Sequence, residues 1–387
     1  MTRRLASIAA IALAACGSPG DGAPPAACAS NGGAPAPAEA CGSTDALWVA
    51  SDYSSSAVGA LALSGASTAA AGAVDLGADP VLATSRGRAF LVARDEDLVF
   101  ELDPRRGTPL HRWSVHLPSP SGGSSDPQDV AVASDGSLWV PLYDVPRIVV
   151  LDPSGDVART IDLSPYDGDG NPQASAIAIV DTPAGEKAFV ALERLNDAQA
   201  FVSDQPSWML RIDVPSATVE GHVQLAGRNP FGMFVDGGVL WLAEPGNFDD
   251  AGETDAGIER FDTATSTTAL VARETDLGGS VAEVAVSSGC GAAIVADATH
   301  DVNATSLVTF DPATGSAIAP APRSPLATPG FQLQGLLWSR GALLVGDRRR
   351  AGAGYPVHAF DAGVGCALRP RSDTVFLPLP PVGLRVP

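Results

Sequence analysis

Along most of this chain the apolar residues come in short runs, and the runs end in an acid. "ALWVASD" closes at Asp52, "AFLVARD" at Asp95, "LWVPLYD" at Asp144 and "AFVALE" at Glu193; "LWLAE" follows at Glu244, "AAIVAD" at Asp297 and "LLVGD" at Asp347. Before all but the first copy lies another run opened by a turn residue, such as "DPVLATSRG", "DPQDVAVASDG" and "NPFGMFVDGG". After most copies comes a third, ending in a turn that often begins with Asp, such as "IVVLDPSG" and "VTFDPATG", and then a weaker fourth. Strands this short, bounded by regular turn signals, predict all-β structure. The pattern returns seven times between residues 45 and 387, or about 49 residues per copy. Four antiparallel strands repeated seven times predict a seven-bladed β-propeller.

The chain ends fix the register of the ring. The first copy, from Asp45, has no opening strand, and the last residues, "PPVGLRVP" (Pro380–Pro387), read as an opening strand with nothing behind it. Pairing the two closes the ring and removes a free sheet edge. Trp48, Trp139 and Trp241 share one position in the repeat with Phe90 and Phe189. That position is a strand interior, so these rings are expected to pack between blades.

The first residues are of another kind. "MTRRLASIAAIALAAC" has two arginines and then an apolar stretch too short to cross a bilayer, which needs about 20 residues. Residues 1–15 read as a signal peptide. "LAAC" (Leu13–Cys16) resembles the lipobox of bacterial lipoproteins. That resemblance implies cleavage before Cys16, a lipid on its sulfur and, with Gly17 rather than Asp following, delivery to the outer membrane. Residues 16–44 are rich in Gly, Pro, Ala and Ser and read as a tether. With Cys16 given to lipid, Cys28, Cys41, Cys290 and Cys366 remain, and four cysteines allow three pairings. Proximity joins Cys28 to Cys41, which leaves Cys290 for Cys366 inside the folded domain in an oxidising compartment.

The opening "P-x-x-apolar-x-apolar", the "DG" turn, the "LWV" strand and the "apolar-D-P-x-x-G" turn together resemble the YVTN-type propellers, the group of YncE-like proteins, over roughly residues 45–387. Regucalcin and gluconolactonase propellers share the same short patterns. These resemblances imply a propeller that holds its ligand on the face carrying the loops between blades. The lactonase likeness also implies a metal in the central mouth.

The chain carries a formal charge of −20, and losing residues 1–15 removes Arg3 and Arg4, so the exported form is more acidic still. A field of that sign repels nucleic acid and anionic lipid, so no nucleic-acid partner is expected, and membrane contact is expected through the N-terminal lipid alone. The acids closing the second strands should share one face with the openers Asp79, Asp126, Asn171 and Asn229. An Asp leading into a turn accepts backbone N–H bonds, which is reason enough for it. A few such carboxylates pointing inward would instead attract a hard divalent cation such as calcium. Two sets of candidate ligands follow. Asp167, Asp169 and Asn171 alternate in "YDGDGNP" as at the start of a calcium loop, though Pro172 stands where the pivotal glycine belongs. Asn229, Glu244 and Asp297 have the oxygen types of a lactonase-like mouth. Arg348, Arg349 and Arg350 mark an anion-attracting spot, and the longest links, "ERLNDAQAFVSDQPSW" and "EPGNFDDAGETDAG", belong to the fourth and fifth copies. G-x-S-x-G, H-E-x-x-H and a phosphate-binding glycine loop are missing. The expected protein is a monomeric, envelope-anchored propeller that binds a protein or small molecule; the alternative is a metal-dependent hydrolase of the lactonase type.

Overall fold

The apolar runs form strands because each can be covered on both sides. The computed structural model describes residues 44–63, 76–118, 122–248, 250, 252–287, 289–297, 304–372 and 374–387. The leader, the tether and Cys16, Cys28 and Cys41 lie outside the described residues, as do Asp249, His300 and Asp301. Within the described residues the strands assemble into seven antiparallel sheets, the blades of a propeller. Their inner strands touch in sequence around an axis: Pro381–Arg385, Pro80–Ser85, Ala131–Val132, Ala174–Thr182, Gly232–Asp236, Ser280–Ser287 and Leu333–Ser339, which returns to Pro381–Arg385. We number the blades I to VII in that order, blade I being the one that holds both chain ends.

Second strands are buried along nearly their whole length, for example Ala46–Ser51, Cys290–Ala296 and Ala342–Asp347. This is why they read as continuous apolar runs rather than alternating ones. Outer strands such as Pro109–Ser114 and Val157–Asp162 are largely exposed, which explains their weaker signal. The cores lie between blades. Seven apolar clusters occupy the seven seams, and Trp48, Phe90, Trp139, Phe189 and Trp241 each sit in a different one, all almost wholly buried.

Ring closure follows the expected pairing. Pro381–Arg385 runs antiparallel to Ala46–Ser51, with Trp48 opposite Leu384. Ser51 donates its N–H to Pro380 O at 2.8 Å. Blade VII grips the same junction. Arg348 donates to the carbonyls of Pro381 (3.1 Å) and Ser51 (3.3 Å), and Ser339 Oγ donates to Asp45 O (2.6 Å). Cys290 and Cys366 form the expected disulfide, a bridge from blade VI to blade VII.

Three features lie beyond the repeat pattern. Blade III has an inner strand of only two residues, Ala131–Val132, supplemented by an isolated bridge between Pro127 and Leu142. Blades VI and VII each add a short strand, Ala327–Thr328 and Val375–Leu377, to the edge of the third strand. Several inner strands bulge, and a bulge leaves backbone N–H groups outside the ladder. The preceding part of the ring caps them: Glu283 accepts from Gly335 N (2.8 Å) and Leu336 N (2.9 Å) across the bulge of blade VII. Asp129 accepts from Ile177 N (3.1 Å) beside the bulge of blade IV.

Deleting residues 380–387 is expected to abolish the single cooperative thermal transition, read by circular dichroism. Leu384→Ala, which opens a hole against Trp48 in the closing seam, should cost about 2–4 kcal/mol. An unchanged melting temperature for either variant contradicts the closure.

Candidate functional site

Each strand-end acid occupies the same place in its blade, yet the side chains meet different surroundings. Asp52 is exposed and accepts from Ser54 N (2.9 Å) and Ser55 N (2.7 Å), the turn role its position suggests. These bonds, the Ser54 hydroxyl first among them, hold its carboxyl far below the ordinary value. Asp95 accepts from Ala78 N (3.0 Å) and Asp79 N (3.2 Å), so it shapes the entry of its blade. Asp347 takes Arg349 at 2.8 Å and His358 at 3.3 Å. Burial works against its charge, but the hydrogen bonds from His358 and Arg349 prevail and lower its pKa. The N–H of Asp297 donates to Ala304 O at 2.9 Å.

The two glutamates behave otherwise. Glu193 is buried and takes a hydrogen bond from the Tyr143 hydroxyl at 2.6 Å. Burial pushes its carboxyl up to about 8. Glu244 is wholly buried at the seam of blades IV and V, and its carboxyl lies against that of Glu259 on the neighbouring strand. Burial and the adjoining carboxyl raise the pKa of Glu244 well above the ordinary value, and burial raises Glu259 too. Two carboxylates cannot both ionise in contact inside a protein, so the pair keeps at least one proton. Gly227 closes over it: its N–H donates to Glu259 Oε2 (2.6 Å), and a Cβ there would collide with the Glu244 carboxyl. Glu259 is a site residue the sequence reading missed. An acid at an apolar position of a third strand, in "IERFD", was the available signal.

Among the opening residues, Asp79 and Asp126 share Arg94, at 3.0 and 2.8 Å. Partial desolvation, with Asp126 and Asp197 nearby, raises the carboxyl of Asp144, which is exposed. Blades II to IV thus place one guanidinium among several acids. Asn229 is buried with φ 58°, a conformation asparagine tolerates better than most residues. Its Nδ2 donates to Gly246 O (2.7 Å), while its Oδ1 meets no donor.

In the loop suggestive of calcium, Asp167 faces Arg194 (3.2 Å) and takes a bond from Gln205 Nε2 (3.0 Å). Arg194 in turn lies over the Trp208 ring at 3.7 Å. Asp169 accepts from Asn171 N (2.9 Å), and the Asn171 side chain bonds Asp197. The structure therefore gathers Asp167, Asp169, Asn171 and Asp197 at one corner of the loop face, with a guanidinium already engaged there. Arg348 is tied to the closing junction and lies over Tyr53 at 4.9 Å, and Arg349 pairs with Asp347, so two of the three arginines have structural roles while Arg350 is exposed.

No protein-family model matches this chain, and no curated protein matches its sequence. Solved structures match its fold. A candidate 6-phosphogluconolactonase from Bacteroides uniformis has a TM-score of 0.55 at 12% identity, covering 88% of this chain and 98% of its own. A second, from Bacteroides fragilis, gives the same TM-score of 0.55, identity of 12% and coverages of 88% and 98%. The WD40 repeats of RRP9 give a TM-score of 0.50 at 13% identity, covering 77% of this chain and 79% of theirs. At such identities the likeness concerns propeller architecture alone.

Burial of neutral carboxyls gives stability a pH dependence of definite sign. Glu193 and Glu274 are pushed to about 8 from 4.5, and Asp129 to about 6 from 3.8, burial leading in each case. A pKa raised by folding adds stability that is complete below the unfolded value and lost as pH rises through the folded one. The melting temperature is expected to fall steadily between pH 5 and pH 9. Glu193→Gln, which keeps an acceptor for Tyr143 but cannot ionise, should flatten the alkaline part of that slope. A slope identical to that of the parent chain would show that Glu193 ionises freely in the fold.

Proposed function

We propose that this chain is an exported propeller, anchored through a lipid on Cys16 to the bacterial envelope, at the outer membrane. Residues 1–15 would serve as signal peptide and 16–44 as tether, and the loop face would bind a protein or small-molecule partner. The YncE-like repeat pattern and the "LAAC" segment support this reading from the sequence. The observation that carries it is the loop face itself. Asp52, Asp95 and Asp347 are engaged in local structure, while the two longest links, of blades IV and V, are tied to each other by Ser203 N donating to Asn247 Oδ1 at 2.9 Å. Variation between the copies is thus concentrated in one rigid surface, the usual place for recognition on a repeated scaffold.

Two arms test the proposal. Labelled palmitate should enter the native chain and not Cys16→Ser, which should leave the membrane fraction. Cross-linking in intact cells should capture a partner that is lost when residues 196–204 are replaced by a Gly-Ser linker. Capture that survives this replacement refutes the assignment of the face.

A second reading is supported by one observation, the buried Asn229 Oδ1 that meets no donor, together with the buried Glu244–Glu259 carboxyl pair. With Asp297 they would offer hard oxygen ligands to a divalent cation such as calcium, which could displace the proton held between Glu244 and Glu259. The candidate 6-phosphogluconolactonases of the same fold lend this reading a lactone as substrate class. A bound cation would supply Lewis acidity to a substrate oxygen or water. Asp167, Asp169 and Asn171 remain a separate proposed calcium corner. Metal at these sites predicts a higher melting temperature with calcium than with EDTA; coincident curves dismiss both.

A further inference from the structure

The links of blades IV and V build more than a rigid base. The first runs over residues 194–206 and the second over residues 245–256. Asn247 joins them, taking Ser203 N at 2.9 Å and donating through Nδ2 to Glu253 Oε1 at 2.7 Å. Arg228 lies beneath both: its guanidinium donates to Ser203 O and pairs with Glu253 (3.0 Å) and Asp255 (2.8 Å). On this base stand large apolar side chains left in solvent, Phe201 at 55% exposure, Val202 at 38% and Phe231 at 52%. Phe231 meets Phe248 edge-on at 5.4 Å. Val202 adjoins Ser203, whose N–H is bonded to Asn247, and Asn247 adjoins Phe248, so the hydrogen bond between the links brings the two segments that carry these side chains together.

Phe201 is also held in an unusual backbone conformation. Its φ is 62° and that of Ala200 is 57°, the left-handed region that bulky side chains avoid. The N–H groups of Gln199 and Phe201 both donate to Asn196 O at 3.0 Å and keep the loop in this shape. A strained backbone that ends in an exposed aromatic ring gains nothing from the fold's own core. A partner that covers the ring would supply that gain.

The rim identifies the partner's charge. On the same two links Asp197, Asp204 and Asp250 are exposed, and the Asp255 side chain is about half exposed at 48%. The nearby cations are turned inward, Arg194 onto Asp167 and Arg228 onto Glu253 and Asp255. An acidic rim repels anionic lipid and nucleic acid alike. We infer that the patch around Phe201, Val202, Phe231 and Phe248 docks a protein segment in which aromatic or aliphatic anchors are flanked by lysine or arginine. This rests on the binding reading above and names its partner class. Apolar anchors in such a patch provide affinity, and the charged rim sets orientation and association rate.

The probe is a short amidated peptide with lysines flanking a Trp-Leu pair, followed by fluorescence anisotropy against the purified chain. Saturable binding is expected, and none for the same peptide with glutamate in place of lysine. The double variant Phe201→Ser/Phe231→Ser should weaken binding by about tenfold or more. Asp204→Asn/Asp250→Asn should weaken it less and reduce its salt dependence. All four positions are exposed, so both variants should melt with the parent chain. The inference is overturned if the parent chain does not bind, if the Phe variant binds as well as the parent, or if vesicles bind through the same phenylalanines instead. A photo-reactive form of the peptide that binds but attaches away from residues 201 and 231 overturns the patch while leaving the binding reading intact.

Discussion

The whole structure depends on one antiparallel pairing, that of Pro381–Arg385 with Ala46–Ser51. A ring of blades has no layer of its own to cover the first sheet or the last. Each is covered only by its neighbours, so a break anywhere exposes two apolar faces at once. The tail strand removes that break, and it also supplies the inner edge that blade I lacks. Its neighbours hold it from both sides: Leu384 lies in the seam with blade VII, Val382 packs into the seam with blade II, and Arg348 bonds the carbonyls of Pro381 and Ser51. The contact joins residues nearly the full chain length apart. It therefore forms late in any folding sequence that begins with local hairpins, because non-local contacts must first offset a large loop-closure entropy.

Closure explains the chemistry at the strand ends. Second strands are buried by the blades on either side, and their last residues emerge where those blades meet the loop face. A carboxylate there has a single sequence position but no single environment. Where a turn follows at once, as after Asp52, backbone N–H groups hold it ionised. Where the seam is deep, as at Glu193 and Glu244, desolvation makes it neutral. The longer glutamate side chain occurs at the two deep sites, where the carboxyl reaches back into the seam instead of capping the turn. Glu193 and at least one member of the Glu244–Glu259 pair therefore add no charge to this part of the face at neutral pH.

The architecture was legible in the sequence because it rests on repetition. Seven copies of one apolar run, the missing strand before Asp45 and the surplus strand after Pro380 determine blade number and closure together. The packing role of Trp48, Trp139 and Trp241 follows from their shared strand position, and the Cys290–Cys366 bridge from its two members lying in the folded part of the chain. The site was less legible, because its residues come from different strands and, in most cases, from different copies. Glu259 approaches Glu244 from the next strand over, Arg94 reaches Asp126 of the following blade, and Tyr143 reaches Glu193 in the same way. The last two partnerships are set by how neighbouring blades stack, and a one-dimensional repeat carries no mark of that; the first is set by register within blade V. Glu283 and Asp129 stayed hidden for a related reason: they answer bulges, and a bulge is a local departure from the repeat.

The same reasoning separates the two kinds of acid on the loop face. Acids drawn into seams, such as Glu193 and Glu244, bear on stability, since their neutral form is part of the packing. The exposed acids of the long links of blades IV and V, Asp197, Asp204 and Asp250, have no such duty, because they stand in water. There Arg228 pairs with the buried side chain of Glu253 and with half-exposed Asp255, and Arg194 with the buried side chain of Asp167, while these three acids stay exposed. Such an arrangement fixes the loops without neutralising their rim. Selection for stability alone would have no use for Phe201 and Phe231 in solvent at the centre of that rim, since burying either ring would stabilise the chain by about 2 kcal/mol. Rigid loops, exposed aromatic rings and an uncompensated charge are separately unremarkable on a protein surface; gathered on one pair of blades, they are the physical requirements of a recognition surface.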